Sequence, residues 1–518
     1  MPQKPDIFLS ALEMTPSGGQ VYDEFWWLNT DSASLTKSDF TFPSSGTYRL
    51  DISGYAAAGA PVLEVLVGGQ SMGLMPINST GIEIFSISIA GITTASVGTW
   101  CCGKFIPAGN VTTGGGTGLE LRLSNFSGGT NHARIGLIYF TKTTDPAPPV
   151  NPPIVPLTFR DPPTTMLVAN HFASGVLRGF NLGGNGYNQP IGSDDGAMAA
   201  MVATGANIAR VFVEFERPSG NTYQFKADQL DRLDVTIQRG VEHGYYVIPC
   251  LFLDPALNTD YWGNAARKAS IANLWKVLAT RYVGNPAVAA YDLINEPREN
   301  YNYAEVIRFQ CQLIDAIRAI DQQHVILFEA VRDNQFAMML PVRYDNIVYS
   351  PHSYSLLRIT HQGVDSDYPC SNKYPATTAS CNLPDADHPI PWNKDSLSDT
   401  FAEARTMYWR FNVPMCIGEF SCIAWAPLNG SGQWSATQYV IDSVDLFETE
   451  NWSWFYHAWR GDWENWEAEI PGSFYTAYTP YTNGKPTGLP GYNTVIAARN
   501  TNAPTITALK NVFVNNQH

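Results

Sequence analysis

Six of the twelve residues from Asp145 to Pro156 are proline. Proline fixes φ and lacks a backbone N–H, so this run supports neither a helix interior nor a central strand, and it reads as a semi-rigid spacer of the polyproline type. The hydrophobic pattern differs on its two sides. Before it, short alternating runs at 46–53, 61–67 and 119–123 are separated by clusters of Gly, Ser and Asn, the spacing of an all-β sandwich. After it, strand-like apolar runs at 179–182, 207–213, 245–253, 288–294, 324–329, 346–352, 414–420 and 452–459 alternate with amphipathic stretches such as 227–233 and 303–309. Eight alternations over about 360 residues predict a (β/α)8 barrel rather than a doubly wound sheet.

The expected architecture is multidomain: a jelly-roll-like β-sandwich over 1–145, a Pro-rich linker over 146–156 and a TIM-barrel domain over 157–518. With 44% hydrophobic and 15% charged residues the chain has ample core material and is not of disordered composition. A net charge of −15 without any Lys/Arg run argues against nucleic acid or an anionic membrane as partner, and is compatible with a neutral polymer. No apolar stretch reaches the 18 or so residues of a membrane span. The start Met1-Pro-Gln-Lys-Pro5 lacks the apolar segment of a signal peptide, so either the protein is cytosolic or a leader has been removed, and the expectation is the second, a secreted protein.

The eight cysteines favour that location. Cys370 and Cys381 share one polar loop and are expected to staple it as a disulfide in an oxidising compartment. Cys101 and Cys102 are adjacent, where geometry disfavours a bridge, and Cys250, Cys311 and Cys416 sit in apolar runs as small core residues. No CxxC or HxxH pair occurs, and the group His361, Asp385 and His388 fits no familiar ligand spacing, so no metal and no organic cofactor is expected.

Two of the buried runs end in glutamate. Asn295-Glu296-Pro297 closes the run 288–294, and Glu419 closes the run 414–418. In a (β/α)8 barrel the carboxyl ends of the strands carry the site. Two carboxylates there suit cleavage of a glycosidic bond, which takes one carboxylic acid to protonate the leaving oxygen and one carboxylate to attack or to activate water. The 14 Trp and 25 Tyr exceed ordinary core needs, and flat aromatic faces suit sugar rings.

Over roughly residues 170 to 515 the chain resembles glycoside hydrolase family 5. The resemblance rests on Gly284-Asn-Pro-Ala-Val-Ala-Ala-Tyr-Asp-Leu-Ile-Asn-Glu-Pro297 and on Ile417-Gly-Glu-Phe420. It implies Glu296 as acid/base, Asn295 as the residue holding the substrate 2-hydroxyl, and Glu419 as nucleophile. Arg210 matches the family's second-strand arginine, and a guanidinium beside Glu419 is expected to keep it ionised while the retained anion raises the pKa of Glu296. His352 and Tyr354 resemble the family's sixth-strand pair, with the Tyr hydroxyl on the nucleophile and the His on the acid/base. Trp459 corresponds to the eighth-strand tryptophan under the sugar, and Trp463 and Trp466 extend that platform or pack their loop. The sequence departs from the family at the third strand, where a histidine is usual and Phe252 or Asp254 stands near the place. It departs again in a loop of some forty residues after Tyr354, where a wall at the cleft would favour attack on chain ends.

Residues 1–145 weakly resemble a jelly-roll carbohydrate-binding module, with Trp26, Trp27 and Trp100 as aromatic candidates; a purely structural domain packed on the barrel is the other reading. The expected protein is a retaining β-glycoside hydrolase, endo-acting on a plant-type β-1,4-linked glucan or hemicellulose. An exo-acting glycosidase of the same family and a catalytically inactive carbohydrate-binding protein stand as alternatives.

Overall fold

The computed structural model of the chain describes residues 7–22, 25–30, 33–40, 42, 46–79, 83–92, 99–101, 104–106, 118–125, 131–142, 163–182, 192, 194–253, 261–297, 303–330, 342, 344–364, 371–378, 391–401, 404–405, 413–460, 464–478, 481–482 and 485–517. The Pro-rich linker, Asp254, Cys370, Cys381, Asp385, His388 and Trp463 lie outside the described residues, as does the side chain of Trp100.

The amino-terminal region is two antiparallel sheets face to face. One runs in the order Gln20–Tyr22, Phe25–Leu28, His132–Lys142, Gly46–Ala58, Glu83–Ile92, with Ile7–Ser10 also paired to His132–Lys142; the other runs Thr15–Ser17, Ser34–Lys37, Leu119–Leu123, Val62–Val67, Gln70–Pro76. The cause is visible in Leu119–Leu123, whose three leucines are buried while Glu120 and Arg122 take the other face and pair with each other. The inner faces of both sheets, including Leu50, Ile52, Leu63, Val65, Leu121 and Ile138, form one apolar core.

The sandwich does not stand apart from the barrel. Phe25 and Tyr139 belong to the larger core of the barrel region, and Glu13 forms an ion pair with Arg308. Of the two tryptophans whose side chains are described, Trp26 donates to the Gly18 carbonyl at 3.3 Å, and Trp27 has the His132 ring beside it at 5.7 Å and the Arg134 guanidinium over it at 5.2 Å.

The second region is a parallel barrel. Its strands are β1 (Arg178–Leu182), β2 (Ile208–Ser219), β3 (Tyr246–Leu253), β4 (Ala290–Asp292), β5 (Val325–Glu329), β6 (Ile347–Ser350, continued by His352–Ser353), β7 (Cys416–Phe420) and β8 (Ser453–Trp459). The hydrogen-bonded path begins at Ile347–Ser350, runs back through β5 to β1, crosses to β8 and β7, and ends at His352–Ser353. Those end segments are two halves of one strand broken at Pro351, which has no N–H to give, so the sheet closes. Among the described residues the outer layer includes α1 (Asp195–Val202), α2 (Gln229–His243), α3 (Ala265–Tyr282), α4 (Tyr303–Arg318), α5 (Ser435–Thr449) and α6 (Pro504–Phe513). In α2 the buried Leu233, Thr236, Ile237 and Gly240 recur at helical spacing, and Gly244 at φ 84° ends the helix in the left-handed conformation glycine favours. No described helix is long and apolar enough to cross a membrane.

Candidate active site

Strand alternation builds the site. Successive residues of a strand point to opposite faces, so every second residue lines the barrel interior. The lower part of that lining is apolar: Ile208, Ile248, Ala290, Leu327, Val348, Cys416 and Phe455 pack together. Two residues further along the same strands stand Arg210, Cys250, Asp292, Glu329, Ser350, Gly418 and His457, a layer that brings buried ionisable side chains, among them Arg210, Asp292, Glu329 and His457, into the interior.

Arg210 is the hub of that layer. It is fully buried, its Nε donates to Asp292 at 2.7 Å, and its Nη1 donates to Glu419 at 2.7 Å and Asn181 at 2.8 Å. Its Nη2 reaches Asn295 Oδ1 at 2.9 Å, Glu329 at 3.0 Å and Cys250 Sγ at 3.1 Å. Burial works against the charge, but Asp292, Cys250, Glu329 and Glu419 raise its pKa well above the ordinary value, and it stays a cation.

Glu419 is held from two sides. One oxygen takes the Arg210 bond, and the other accepts the Tyr354 hydroxyl at 3.0 Å. Burial pushes this carboxyl up, but the fields of His352, His457 and Arg210 outweigh it and hold it below the usual carboxylate range. His457, 3.9 Å away, is lowered by burial, so its part of that field lapses near neutral pH while Arg210 and His352 remain charged. Burial and then the Glu419 charge push the Tyr354 phenol well up, which keeps it a donor.

Glu296 lies just past β4, half-buried, at φ 42°. A non-glycine residue in the left-handed region carries backbone strain of about 1–3 kcal/mol, and such residues concentrate at functional sites. His352 Nδ1 meets Glu296 Oε1 at 3.0 Å. The close approach of β6 and β7 needs Gly418, since a Cβ there would come within 3.0 Å of the His352 ring. One oxygen each of Glu296 and Glu419 and a ring nitrogen of His352 lie within 4.8 Å of one another.

Seven of the nine side chains singled out from the sequence thus share one neighbourhood: Glu296, Glu419, Arg210, Asn295, His352, Tyr354 and Trp466. Trp466 joins through ring contacts, 6.1 Å from Tyr354 and 6.5 Å from His457. Trp459 does not face the carboxylates. Its ring is buried against Phe180 at 5.0 Å, its N–H donates to the Ala197 carbonyl of α1 at 3.0 Å, and Arg460 covers it. The reason is a bulge: β1 pairs Asn181 with His457 but Leu182 with Trp459, so Ala458 is an extra residue that turns Trp459 outward and leaves His457 facing in.

Two further positions singled out from the sequence lie among the described residues. At the third strand Phe252 faces Phe212 at 4.8 Å, giving the site an apolar edge where a histidine is usual. His361 is occupied locally, with Nδ1 3.0 Å from Thr360 Oγ1 and its ring 4.9 Å from Trp466. The sequence reading passed over Asn181, Asp292, Glu329 and His457. Glu329 was marked by the same signal as Glu296 and Glu419, a carboxylate closing a buried strand.

A family model for cellulases, described as glycosyl hydrolase family 5, matches residues 169–462. The chain belongs to this family. The family 5 chain is also similar to Endoglucanase H of Acetivibrio thermocellus, 19% identical over 237 residues that cover 45% of this chain and 24% of the relative. Endoglucanase 3 of Fibrobacter succinogenes is 31% identical over 100 residues, 18% of this chain and 15% of the relative. A beta-xylosidase of Phanerodontia chrysosporium is 27% identical over 154 residues, 26% of this chain and 32% of the relative. The chain thus spans a third or less of each of these relatives. Among solved structures, endoglucanase Cel5A of the hyperthermophile Thermotoga maritima shares the fold with a TM-score of 0.50 at 18% identity, covering 66% of this chain and all of that one.

Proposed function

We propose that the chain is a retaining β-glycoside hydrolase. In the first step a Glu419 oxygen attacks the anomeric carbon while Glu296 protonates the departing oxygen; in the second, Glu296 takes a proton from water, which attacks the same carbon and frees Glu419. The observation that carries this reading is the carboxylate pair itself. Its facing oxygens fall within 4.8 Å, which supports direct attack by one carboxylate across a sugar held between the pair. Glu419 is kept ionised by Arg210 and oriented by Tyr354, as a nucleophile requires, and Glu296 lies on a histidine.

Asn295 is turned by Arg210 so that its amide group projects toward the sugar 2-hydroxyl in this reading. With Trp459 buried, Trp466 supplies the aromatic face beside the cleaved bond, and His457 stands where the tryptophan was expected. The substrate proposed is a β-1,4-linked glucan or hemicellulose cut internally, supported by two relatives named as endoglucanases. Exo action draws support from the beta-xylosidase relative and from the Tyr354, His361 and Trp466 rings that close one side of the pair.

The deciding experiment is a product profile of the wild type and Glu419→Ala on mixed-linkage glucan, cellulose, mannan, xylan and aryl β-glycosides. A ladder of oligosaccharides of retained β-configuration, absent in the variant, is expected. Single sugars alone would replace endo with exo action, inverted products would overturn the retaining mechanism, and no turnover on any substrate would overturn the enzyme reading.

A further inference from the structure

Behind the carboxylate pair lies a third glutamate that the mechanism above leaves unused. Glu329 closes β5 and is 1% exposed. Both oxygens meet cationic groups: Oε1 is 3.0 Å from Arg210 Nη2 and Oε2 is 3.2 Å from His352 Nε2. Its backbone is clamped as well, since Gln310 of α4 accepts from the Glu329 N–H and donates to its carbonyl, both at 2.9 Å. The other edge of His352 meets Glu296 at 3.0 Å. Glu329, His352 and Glu296 therefore form one row, anchored at its buried end and open to substrate at the other.

We propose that Glu329 is a positioning residue for the reaction, clamping the Nε2 edge of His352 so that a protonated Nδ1 edge is presented to Glu296 throughout turnover. This inference rests on the glycosidase reading given above. Its physical basis is how the groups around His352 are charged. The ring faces Glu296 beyond β4, Glu329 on β5 and Glu419 on β7 at 3.6 Å, with His457 of β8 in its field; Arg210 and Tyr354 meet the same Glu419, and Asp292 meets Arg210. Burial disfavours an imidazolium, but the facing carboxylates raise the His352 pKa well above its ordinary value. Burial, joined by the Asp292 charge, pushes Glu329 itself up to about 8. A buried row with this many acids is closest to neutral when protons are held between Glu329 and His352.

The consequence for the chemistry is specific. When Glu296 gives its proton to the leaving oxygen, the new carboxylate charge appears 3.0 Å from an imidazolium already in place. When Glu296 later takes a proton from water, the row is restored, and neither Glu329 nor His352 gains or loses a proton over the cycle.

Two measurements test this. In the wild-type chain with isotope-labelled histidine, the His352 resonances, assigned with a His352→Gln variant, are expected to show a doubly protonated ring at pH 7, above the ordinary histidine range; a singly protonated ring there overturns the proposal. In Glu329→Gln, which keeps the shape but removes the carboxyl that shares a proton with His352, the alkaline limb of kcat/KM on an aryl β-glycoside is expected to move down by about one unit, with kcat reduced about 10-fold or more and KM little changed. An unshifted limb overturns the proposal, and if the variant does not fold, the wild-type titration decides. Absence of glycoside turnover in the wild type would sink the enzyme reading, while the titration would still judge the row.

Discussion

The lower and upper layers of the barrel interior are made by the same strands and lie two residues apart along each, yet they are held by different forces. The lower layer, from Ile208 round to Phe455, is apolar and needs only burial. The upper layer sets Arg210 against Asp292 and Glu329, with His352, Glu419 and Glu296 just beyond it, groups whose removal from water costs more than any one contact returns. The comparison teaches that the site is rigid because its members cannot be satisfied separately. Arg210 alone orients Asn181, Asn295 and three carboxylates.

The sharpest break between the layers is chemical. Glu419→Ala is expected to lower kcat on the order of 10,000-fold while leaving the fold intact, read by steady-state kinetics alongside circular dichroism. Retained activity within about 100-fold would remove Glu419 from the proposed role. Next in size is Arg210→Met. Stripping the cation from three buried carboxylates is expected to cost about 3–5 kcal/mol in urea unfolding and to abolish turnover together, and a loss of activity without a loss of stability would contradict the shared-hub account.

Leu327→Ala probes the lower layer alone. It is expected to cost about 2–5 kcal/mol of stability with kcat and KM unchanged where the protein is folded, so an altered pH profile would show that the layers are not separable. The smallest effect is expected from Tyr354→Phe. Glu419 is held below the usual carboxylate range, so activity falls with decreasing pH only below about 4.3, the ordinary glutamate value. Losing the hydroxyl that stabilises the anion should raise that acid limb by a few tenths of a unit and slow the reaction about 10-fold. A limb that moved down would mean the hydroxyl does not donate to Glu419.

Much of the architecture was legible before any coordinates. The eight apolar runs became the barrel strands, and the alternation in 46–53, 61–67 and 119–123 became the sandwich sheets. Glu296, Glu419, His352 and Tyr354 were legible because each stands at or near the end of a buried run, and Arg210 because a lone cation interrupts one, where a polar residue has no other evident reason to be. Trp459 was misplaced because register along β8 depends on a bulge, and one extra residue exchanges the two faces of a strand. The resemblance named only the tryptophan of this strand, so His457, which faces the site, was passed over.

The amino-acid sequence by itself determined the periods, two for strands and 3.6 for helices, and hence the barrel and the strand ends where charge gathers, because side-chain direction follows local backbone geometry. Only the tertiary structure decided which charges meet: Arg210 with three carboxylates from three strands, and Glu329 with His352 from adjoining strands. Coulomb interactions and hydrogen bonds act across space, between residues up to 209 positions apart in the case of Arg210 and Glu419, and no local pattern encodes that distance.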